Sequence, residues 1–327
     1  MSTATLDATA LERLVAAAVA APSLHNTQPW RFGIDQDTRT IRVYAATDRG
    51  LRHTDPAGRA VHVSVGCAVL NLRVAAARSG WAPVTRLLPR PDRPDLLATV
   101  RLAGTARIPA APELYEALWR RRSSRFPYTD RPLPGHLLAE LAEAAHLEGA
   151  SLVFPGRRET DRVLRATWEG EVRNRADADR AAESRHWSSG PHPASLGMPA
   201  AVVGPQDSLE RVPVRDFGAH RHPAVLLARP YERHPALALL RTAHDRRTDW
   251  LRAGQALERI LLVATAHGVR TSLLHQALEW PDLRAHLDGP ARGGGPGRAQ
   301  MVIRLGYGPE GPASPRREVG AALEGGV

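Results

Sequence analysis

Lysine is absent from this 327-residue sequence, so arginine supplies all 44 of its Lys/Arg side chains. Without an ε-amine the chain cannot form a Schiff base with a carbonyl substrate or with pyridoxal phosphate. The Gly-Lys-Ser/Thr phosphate loop and the strand lysine of protein kinases are excluded for the same reason. Scarce asparagine and isoleucine beside abundant alanine and arginine are typical of a GC-rich genome. That base composition accounts for the missing lysine without a functional cause.

Cysteine occurs once, as Cys67, so no disulfide can form within the chain and an oxidising compartment gains no support. No uninterrupted apolar run reaches the roughly 18 residues that a membrane span needs, and the N-terminal residues lack the basic and apolar regions of a signal peptide. We therefore expect a cytoplasmic protein. The sequence also lacks a Gly-x-Gly-x-x-Gly motif after a strand and a Gly-x-Ser-x-Gly turn, which argues against a Rossmann nucleotide site and a serine hydrolase.

The composition is that of a globular protein, with 43% hydrophobic and 24% charged residues and a formal net charge of +10. The positive charge alone would suit nucleic acid, an anionic membrane or a phosphorylated ligand, and it decides between none of them. His220 and His222 have no cysteine or carboxylate neighbours at metal-binding spacing, so we predict no metal site.

Hydrophobic spacing predicts an alternation of helices and strands. Helices are expected at 6–21, 59–79, 113–119, 133–145, 157–182 and 249–267. Strands are expected on both sides of a turn at 36–39, near residue 84, and at 96–102, 152–154, 224–228 and 300–305. Two stretches rich in glycine, proline or serine, 184–199 and 289–297, are expected to be loops, and such loops often cover binding sites.

The two parts of the chain resemble each other. VGCAVLNLRVAAARSG and AGQALERILLVATAHG place Gly66 opposite Gly254 and Gly80 opposite Gly268, with the same spacing in both. A similar strand follows each helix, and a second helix pair, at 11–18 and 138–145, makes three matched elements in the same order. Chance similarity of alanine-rich helices is the alternative for any one pair. We predict a duplicated α+β unit with one half at 1–108 and the other at 109–327.

Two polar motifs are candidates for ligand binding. PSLHNTQPW displays hydroxyl and carboxamide groups between a helix end and a strand, where they suit a heteroaromatic ligand, although a plain polar loop is the alternative. RRRSSRF offers guanidinium forks and hydroxyls for a phosphate, but a charge run is more often a solvated surface. A second arginine pair lies in GYGPEGPASPRR near the C terminus.

These segments resemble motifs of the flavin-dependent nitroreductase superfamily. SLHNTQPWRF is similar to its PSSxNxQPWxF, RRSSRF to its RRSxRxF, LGYGPEGPASPRR to its C-terminal loop, and AGQALERILLVATAHGV to its AGxAxQNLLLAAxxxGL. Usual members are homodimers with FMN at the interface. Here the asparagine motif is present only in the first half and the arginine-serine motif only in the second. The resemblance implies the Acg-like single-chain branch: a fused pseudo-dimer of the nitroreductase fold, α+β with mainly antiparallel sheets flanked by helices, and one composite FMN site.

The resemblance also implies roles for particular residues. The phosphate, ribityl chain and pyrimidine edge of FMN would contact the second half and the C-terminal loop, through Arg121, Arg122, Ser123, Arg125, Arg316 and Arg317. The first half would approach the flavin through Ser23, Leu24, Asn26 and Gln28. The backbone of Leu274, His275 and Gln276 would face N5, and the His275 ring is also a possible proton donor. Arg125 is our choice to replace the lysine that many members place near FMN.

The implied activity is reduction of a quinone or nitroaromatic compound by NAD(P)H, in which FMN carries the hydride and no side chain is the nucleophile or obligatory acid. Residues 184–199 would form a lid, with His186, Trp187 and Met198 touching the flavin; a surface loop is the alternative. A closed lid would instead favour a flavin-sequestering protein with little turnover. We expect a small-molecule electron acceptor as partner, no nucleic acid or membrane, and a monomer as the minimal unit.

Overall fold

A computed structural model describes residues 7–105, 112–190, 192–217, 228–290 and 296–324. Its helices are α1 (Ala8–Val19), α2 (Arg59–Arg78), α3 (Pro112–Arg120), α4 (Gly135–His146), α5 (Arg157–Ala176), α6 (Ala178–Ser189), α7 (Ala200–Val203), α8 (Arg247–Ala266), α9 (Pro281–Ala285) and α10 (Val319–Ala322). Its strands are β1 (Trp30–Asp35), β2 (Thr40–Ala45), β3 (Trp81–Leu87), β4 (Leu96–Thr105), β5 (Ser151–Val153), β6 (Gln206–Asp207), β7 (Ala228–Arg229), β8 (Ala236–Thr242), β9 (Arg270–Leu274), β10 (Gly289–Pro290) and β11 (Pro296–Gly306). Short 3-10 helices lie at Leu24–Asn26, Thr47–Arg49 and Gln276–Glu279.

The strands form two antiparallel sheets and one short parallel pair. The first sheet has the order β1-β2-β4-β3, and all of it comes from residues 30–105. In the second sheet β11 lies between β8 and β9, β8 also pairs with β5, and β10 pairs with the start of β11. Strands β6 and β7 make the parallel pair. The predicted α+β class with mainly antiparallel sheets is confirmed.

Helices α2 and α8 cross at a glycine on each helix. A β-carbon on Gly66 would lie 2.3 Å from the carbonyl oxygen of Leu251, and one on Gly254 would lie 2.0 Å from that of Val63. Because neither glycine has a side chain, the two backbones touch. One buried apolar cluster therefore extends from the first sheet through this crossing to the second sheet.

Replacing Gly254 with alanine is expected to destabilise the protein by about 1–3 kcal/mol, because the added methyl group would force α2 and α8 apart. Gly135→Ala is the matched control, since a β-carbon at that position, where α4 begins, meets no atom within 4 Å. Urea unfolding of both variants measures the difference. A Gly254→Ala protein as stable as the control would contradict the close crossing.

The matched glycines that follow α2 and α8 have a conformational role. Gly80 and Gly268 have φ angles of 85° and 71°, in the left-handed region that most residues avoid. Each donates its N–H to a carbonyl of the last helical turn, which ends the helix and starts the next strand.

Of the helices in the described ranges, α2 alone is long and apolar enough to cross a membrane, and 83% of its apolar window is buried inside the protein.

Some element predictions differ from the structure. The predicted helix 157–182 ends at Ala176, because the Asp177 side chain caps a new helix, α6, by accepting hydrogen bonds from the next backbone N–H groups. The loop predicted at 184–199 is therefore wrong as far as Ser189, which is helical. Strand β8 was not predicted, because six of its seven residues are buried and its sequence does not alternate.

Two of the strand and loop predictions include residues that the structure does not describe. In the strand predicted at 224–228, residues 224–227 lie outside the described residues, and Ala228 begins the two-residue strand β7. In the predicted loop 289–297, residues 291–295 lie outside the described residues, and their flanks pair as β10 and β11. His220 and His222 also lie outside the described residues. The predicted turn at 36–39 is confirmed between β1 and β2.

Candidate functional site

The segment between α1 and β1 has an unusual backbone. His25, Asn26 and Gln28 have φ angles of 51°, 53° and 48°, and none of them is glycine. The Ser23 hydroxyl accepts a hydrogen bond from the Gln28 N–H at 2.9 Å, which closes the bend. Non-glycine residues in this region cost of order 1–3 kcal/mol each and persist where the surroundings fix them. Such strain is concentrated at functional sites.

The carboxamides of this segment hold two distant loops. The Asn26 Nδ2 donates to the carbonyl oxygens of Gly197 and Pro315, both at 3.0 Å. The Gln28 Nε2 donates to the Ser195 carbonyl at 2.7 Å, and its Oε1 accepts from the backbone N–H of Arg317 at 3.0 Å. Gln28 is fully buried and lines neither of the two cavities described below. The structure therefore places it beneath the predicted site as an anchor.

An apolar cavity lies beside this segment and encloses about 890 Å³ of empty space, part of it open to solvent. Hydrophobic side chains of α2, α8 and β11 form one wall, including Val63, Leu257 and Met301. Of the residues predicted from sequence, it brings together Ser23, Leu24, Ser123, Arg125, Met198, Leu274, His275 and Gln276.

A cationic cavity adjoins the apolar one, and the two share Pro22, Ser23, Ser123, Arg125 and Met198 as lining residues. Its empty space is about 1050 Å³, also partly open to solvent. Arginines of the RRSSR motif and of the C-terminal loop meet here with the asparagine of the bend: Arg121, Arg122, Arg125, Arg316, Arg317 and Asn26. Three segments that are far apart in the sequence thus build one cavity.

The cationic cavity holds more positive than negative charge. Glu318 is the one carboxylate among the described residues that line it, and this side chain is exposed. Behind the wall, Glu258 lies 3.4 Å from the Arg121 Nε, but burial raises the pKa of Glu258 to about 7. Burial and the nearby Arg121 lower the pKa of Arg316 to about 9. The Nε atoms of Arg121 and Arg316 are buried and lack hydrogen-bond partners in the described part of the chain. The cavity is therefore suited to an anion.

A buried ionic network supports the far side of the apolar cavity. The Nη2 of Arg59 lies 2.8 Å from the His275 Nε2, and the His275 Nδ1 lies 3.0 Å from a Glu279 oxygen. Arginine only donates, so Nε2 accepts and the proton is on Nδ1. Burial lowers the pKa of His275 to about 4 despite the neighbouring carboxylate. Both ring nitrogens are engaged and the ring is neutral, so the side chain is not a proton donor to a ligand.

Glu279 is the centre of this network. It forms hydrogen bonds with Arg215 and, at 2.7 Å, with the Nδ2 of Asn174, and it lies 3.6 Å from Arg180. Its burial would raise its pKa, but the Arg215 cation and the bond to His275 outweigh that effect and lower the pKa to about 2. The network fixes the 3-10 helix that follows β9. It thereby positions the Leu274–Gln276 segment that lines the cavity.

The segment predicted as a lid contributes one residue to the cavities, Met198, which lines both. His186 and Trp187 line neither; Trp187 belongs to a small apolar cluster with Leu51 and Leu196, against which Leu24 packs. Four residues that were not predicted cover the apolar cavity instead: Val212, Val214, Arg215 and Phe217. The alternating apolar residues of RVPVRDF, at 211–217, are the sequence pattern that could have indicated this segment.

Arg125 connects the RRSSR motif to this covering segment. Its Nη1 donates to the Val202 carbonyl at 2.9 Å, and its guanidinium carbon lies 5.2 Å from the centre of the Phe217 ring. Arg125 therefore lies at the junction of the two cavities and holds the cover in place. Within the described ranges, no group of three or more His, Cys, Asp or Glu side chains is arranged to bind a metal ion.

The family model and the similar proteins found by comparison carry the same family name. Residues 118–307 match the model described as "Nitroreductase family". A Mycobacterium tuberculosis protein named "Putative NAD(P)H nitroreductase" is 32% identical over 330 residues, covering 99% of this chain and 94% of the relative. A second one from the same organism, "Putative NAD(P)H nitroreductase acg", is 28% identical over 322 residues, covering 94% and 93%. A Bacteroides fragilis nitroreductase solved with bound FMN is 17% identical, covers 62% of this chain and 91% of its own, and has a TM-score of 0.37.

Proposed function

The chain belongs to the nitroreductase family, and we propose that it is an FMN-dependent oxidoreductase that uses NAD(P)H to reduce electron-poor small molecules of the quinone or nitroaromatic type. The observation that carries this proposal is the joining of an apolar cavity to a cationic one at Ser23, Ser123 and Arg125. A flavin mononucleotide has the matching chemistry, with a flat, uncharged aromatic ring system at one end and a phosphate at the other.

The lining residues fit this cofactor. Arg121 and Arg316 line the cationic cavity, and a phosphate accepts hydrogen bonds from several guanidinium groups at once. Arg122 and Arg317 line the same cavity and would share in holding the phosphate. Leu274, His275 and Gln276 would hold the ring through their backbone, since the His275 side chain is already engaged.

Bound FMN supplies the ring that accepts and donates hydride; the chain's own residues bind, orient and exclude water. Arg125 and the arginines of the cationic cavity provide positive charge where the cofactor and its reduced form carry negative charge. We assign no side chain as a nucleophile or obligatory acid. We also propose that the chain is a pseudo-dimer with one composite site, because Ser23 and Asn26 come from the first predicted half and Arg121 to Arg125 from the second.

The visible spectrum of freshly purified protein tests the function. We expect the absorption of an oxidised flavin, its loss on anaerobic addition of NADH or NADPH, and its return when menadione is added. Mass spectrometry of the heat-released cofactor should identify FMN. A colourless protein that also fails to take up added FMN would contradict the proposal.

A second candidate is a flavin-sequestering protein with little turnover. It is favoured by the cover that Met198, Val214 and Phe217 place over the apolar cavity. The same experiment separates the two candidates. Bound flavin that neither nucleotide reduces would support sequestration, whereas rapid bleaching would support the reductase.

A further inference from the structure

His25 occupies a special position in the apolar cavity. It lies at the left-handed bend between α1 and β1, with φ 51°, and its side chain lines the cavity. Only 3% of its surface is exposed. Its ring meets Phe217 of the covering segment edge-on, with the ring centres 5.4 Å apart. His25 thus lies between the strained bend and the cover.

Both ring nitrogens of His25 lack a hydrogen-bond partner among the described residues. The larger polar side chains that line the same cavity are engaged. Gln276 donates to the Pro213 carbonyl, Arg215 bonds to Glu279, and Arg304 bonds to Glu232. A buried polar group without a partner costs about 1–3 kcal/mol. Its retention at a strained position points to a partner that arrives with a ligand.

The charge state of His25 limits what that partner is. Burial, and then the neighbouring Arg215, lower the pKa of His25 well below the usual value of a histidine. The ring is therefore neutral at physiological pH, with one N–H donor and one acceptor nitrogen. A neutral imidazole does not attract a carboxylate as an imidazolium would. It is suited to donate a hydrogen bond to an uncharged oxygen within an apolar site.

We propose that His25 determines the specificity of the cavity by donating its ring N–H to a carbonyl or nitro oxygen of the substrate. This inference rests on the proposed function and names the group that selects its substrate class. Quinones and nitroarenes are flat, apolar and carry oxygens that only accept hydrogen bonds. Negative charge develops on these oxygens when the molecule is reduced, so a preorganised N–H also favours the reaction. The imidazole keeps its proton throughout.

A matched pair of ligands and a matched pair of variants test this role. Menadione and 2-methylnaphthalene share a ring system, and only menadione has the two carbonyl oxygens. Binding of each to the oxidised protein as purified, without NAD(P)H, is measured by isothermal titration calorimetry. His25→Phe keeps an aromatic ring and removes both nitrogens. His25→Asn restores an N–H donor and tolerates the left-handed backbone.

We expect the wild type to prefer menadione, and His25→Phe to reduce that preference by about 10-fold, the loss of roughly one buried hydrogen bond. His25→Asn should recover part of the preference. Thermal unfolding without ligand shows that each variant is folded before its ligand preference is compared with that of the wild type.

An unchanged preference in His25→Phe, or no preference in the wild type, would overturn the assignment. Failure of the proposed function has a different signature, a wild-type protein that holds no flavin or is not reduced by NAD(P)H. Because the binding measurement uses no reductant, the two failures are distinguishable.

Discussion

Arg316→Ala is expected to weaken FMN binding by about 10- to 100-fold, the effect of losing one or more charge-assisted hydrogen bonds. Arg316 lines the cationic cavity, donates from Nη1 to the Asn26 Oδ1 at 3.0 Å and from Nη2 to the Ala20 carbonyl at 3.2 Å. Its pKa is lowered by burial and by Arg121, so an anion would relieve an unfavourable charge. Equilibrium dialysis against FMN, with fluorescence detection, measures the dissociation constant.

Arg90→Ala is the control for the change in net charge. Arg90 is exposed and paired with Asp92, far in the sequence from the three segments that build the cavity. We expect its FMN affinity to equal that of the wild type. An Arg316→Ala protein with unchanged affinity would show that Arg316 does not hold the phosphate, and Arg121, Arg122 and Arg317 would remain as the candidates.

Glu279→Gln is expected to lower the free energy of unfolding by about 3–5 kcal/mol, as measured when one member of a buried ion pair is removed. Glu279 is buried against Arg215, Arg180 and His275. The amide keeps the shape but not the charge, which removes the buried carboxylate that Arg215 and Arg180 share. Urea unfolding at neutral pH measures the loss. Glu169→Gln, at an exposed pair with Arg173, is the control and should change little.

The pH dependence has a definite sign. The pKa of Glu279 is lowered to about 2, so its ionised form stabilises the protein above the usual carboxyl pKa of about 4.3, and this contribution is lost as the pH falls towards 2. The pKa of His275 is lowered to about 4, so its neutral form stabilises the folded protein above a pH of about 6.5, and this stabilisation is lost as the pH falls through 4. Glu258 acts oppositely, since its raised pKa favours folding below pH of about 4.3 and the benefit is lost as the pH rises through 7. In Glu279→Gln the decrease below pH of about 4.3 should shrink. An identical acid profile would contradict the role of Glu279.

The sequence predicted elements well where composition or a local backbone requirement marks them. The helices around residues 59–79 and 249–267 are long and mostly apolar, the turn at 36–39 is polar, and Gly80 and Gly268 end their helices by adopting the left-handed conformation. Strand β8 lacked such a signal because it is covered on both faces. The break at Asp177 depended on a side-chain cap within a continuous polar stretch.

The motifs of the candidate site could be predicted from the sequence, but the residues that contact them could not. Asn26 and Pro315 are 289 positions apart, and their hydrogen bond exists because both segments fold onto one end of α1. Gln28 belongs to the motif that the sequence indicated, but its side chain is buried and binds the backbone of Ser195 and Arg317. His275 was a possible proton donor until the contacts of Arg59 and Glu279 engaged both of its nitrogens.

By itself, the sequence determined the α+β class, the family and the three motif segments, since these depend on periodicity and on residue types at fixed spacing. It also showed that arginine takes every position that lysine would otherwise share, so an arginine cluster alone was a weak sign of a phosphate site. The tertiary structure decided which arginines face a cavity, which side chains are neutralised by partners, and that the His25 ring has none among the described residues. Burial and hydrogen-bond partners decide these matters, and both arise from residues distant in the chain.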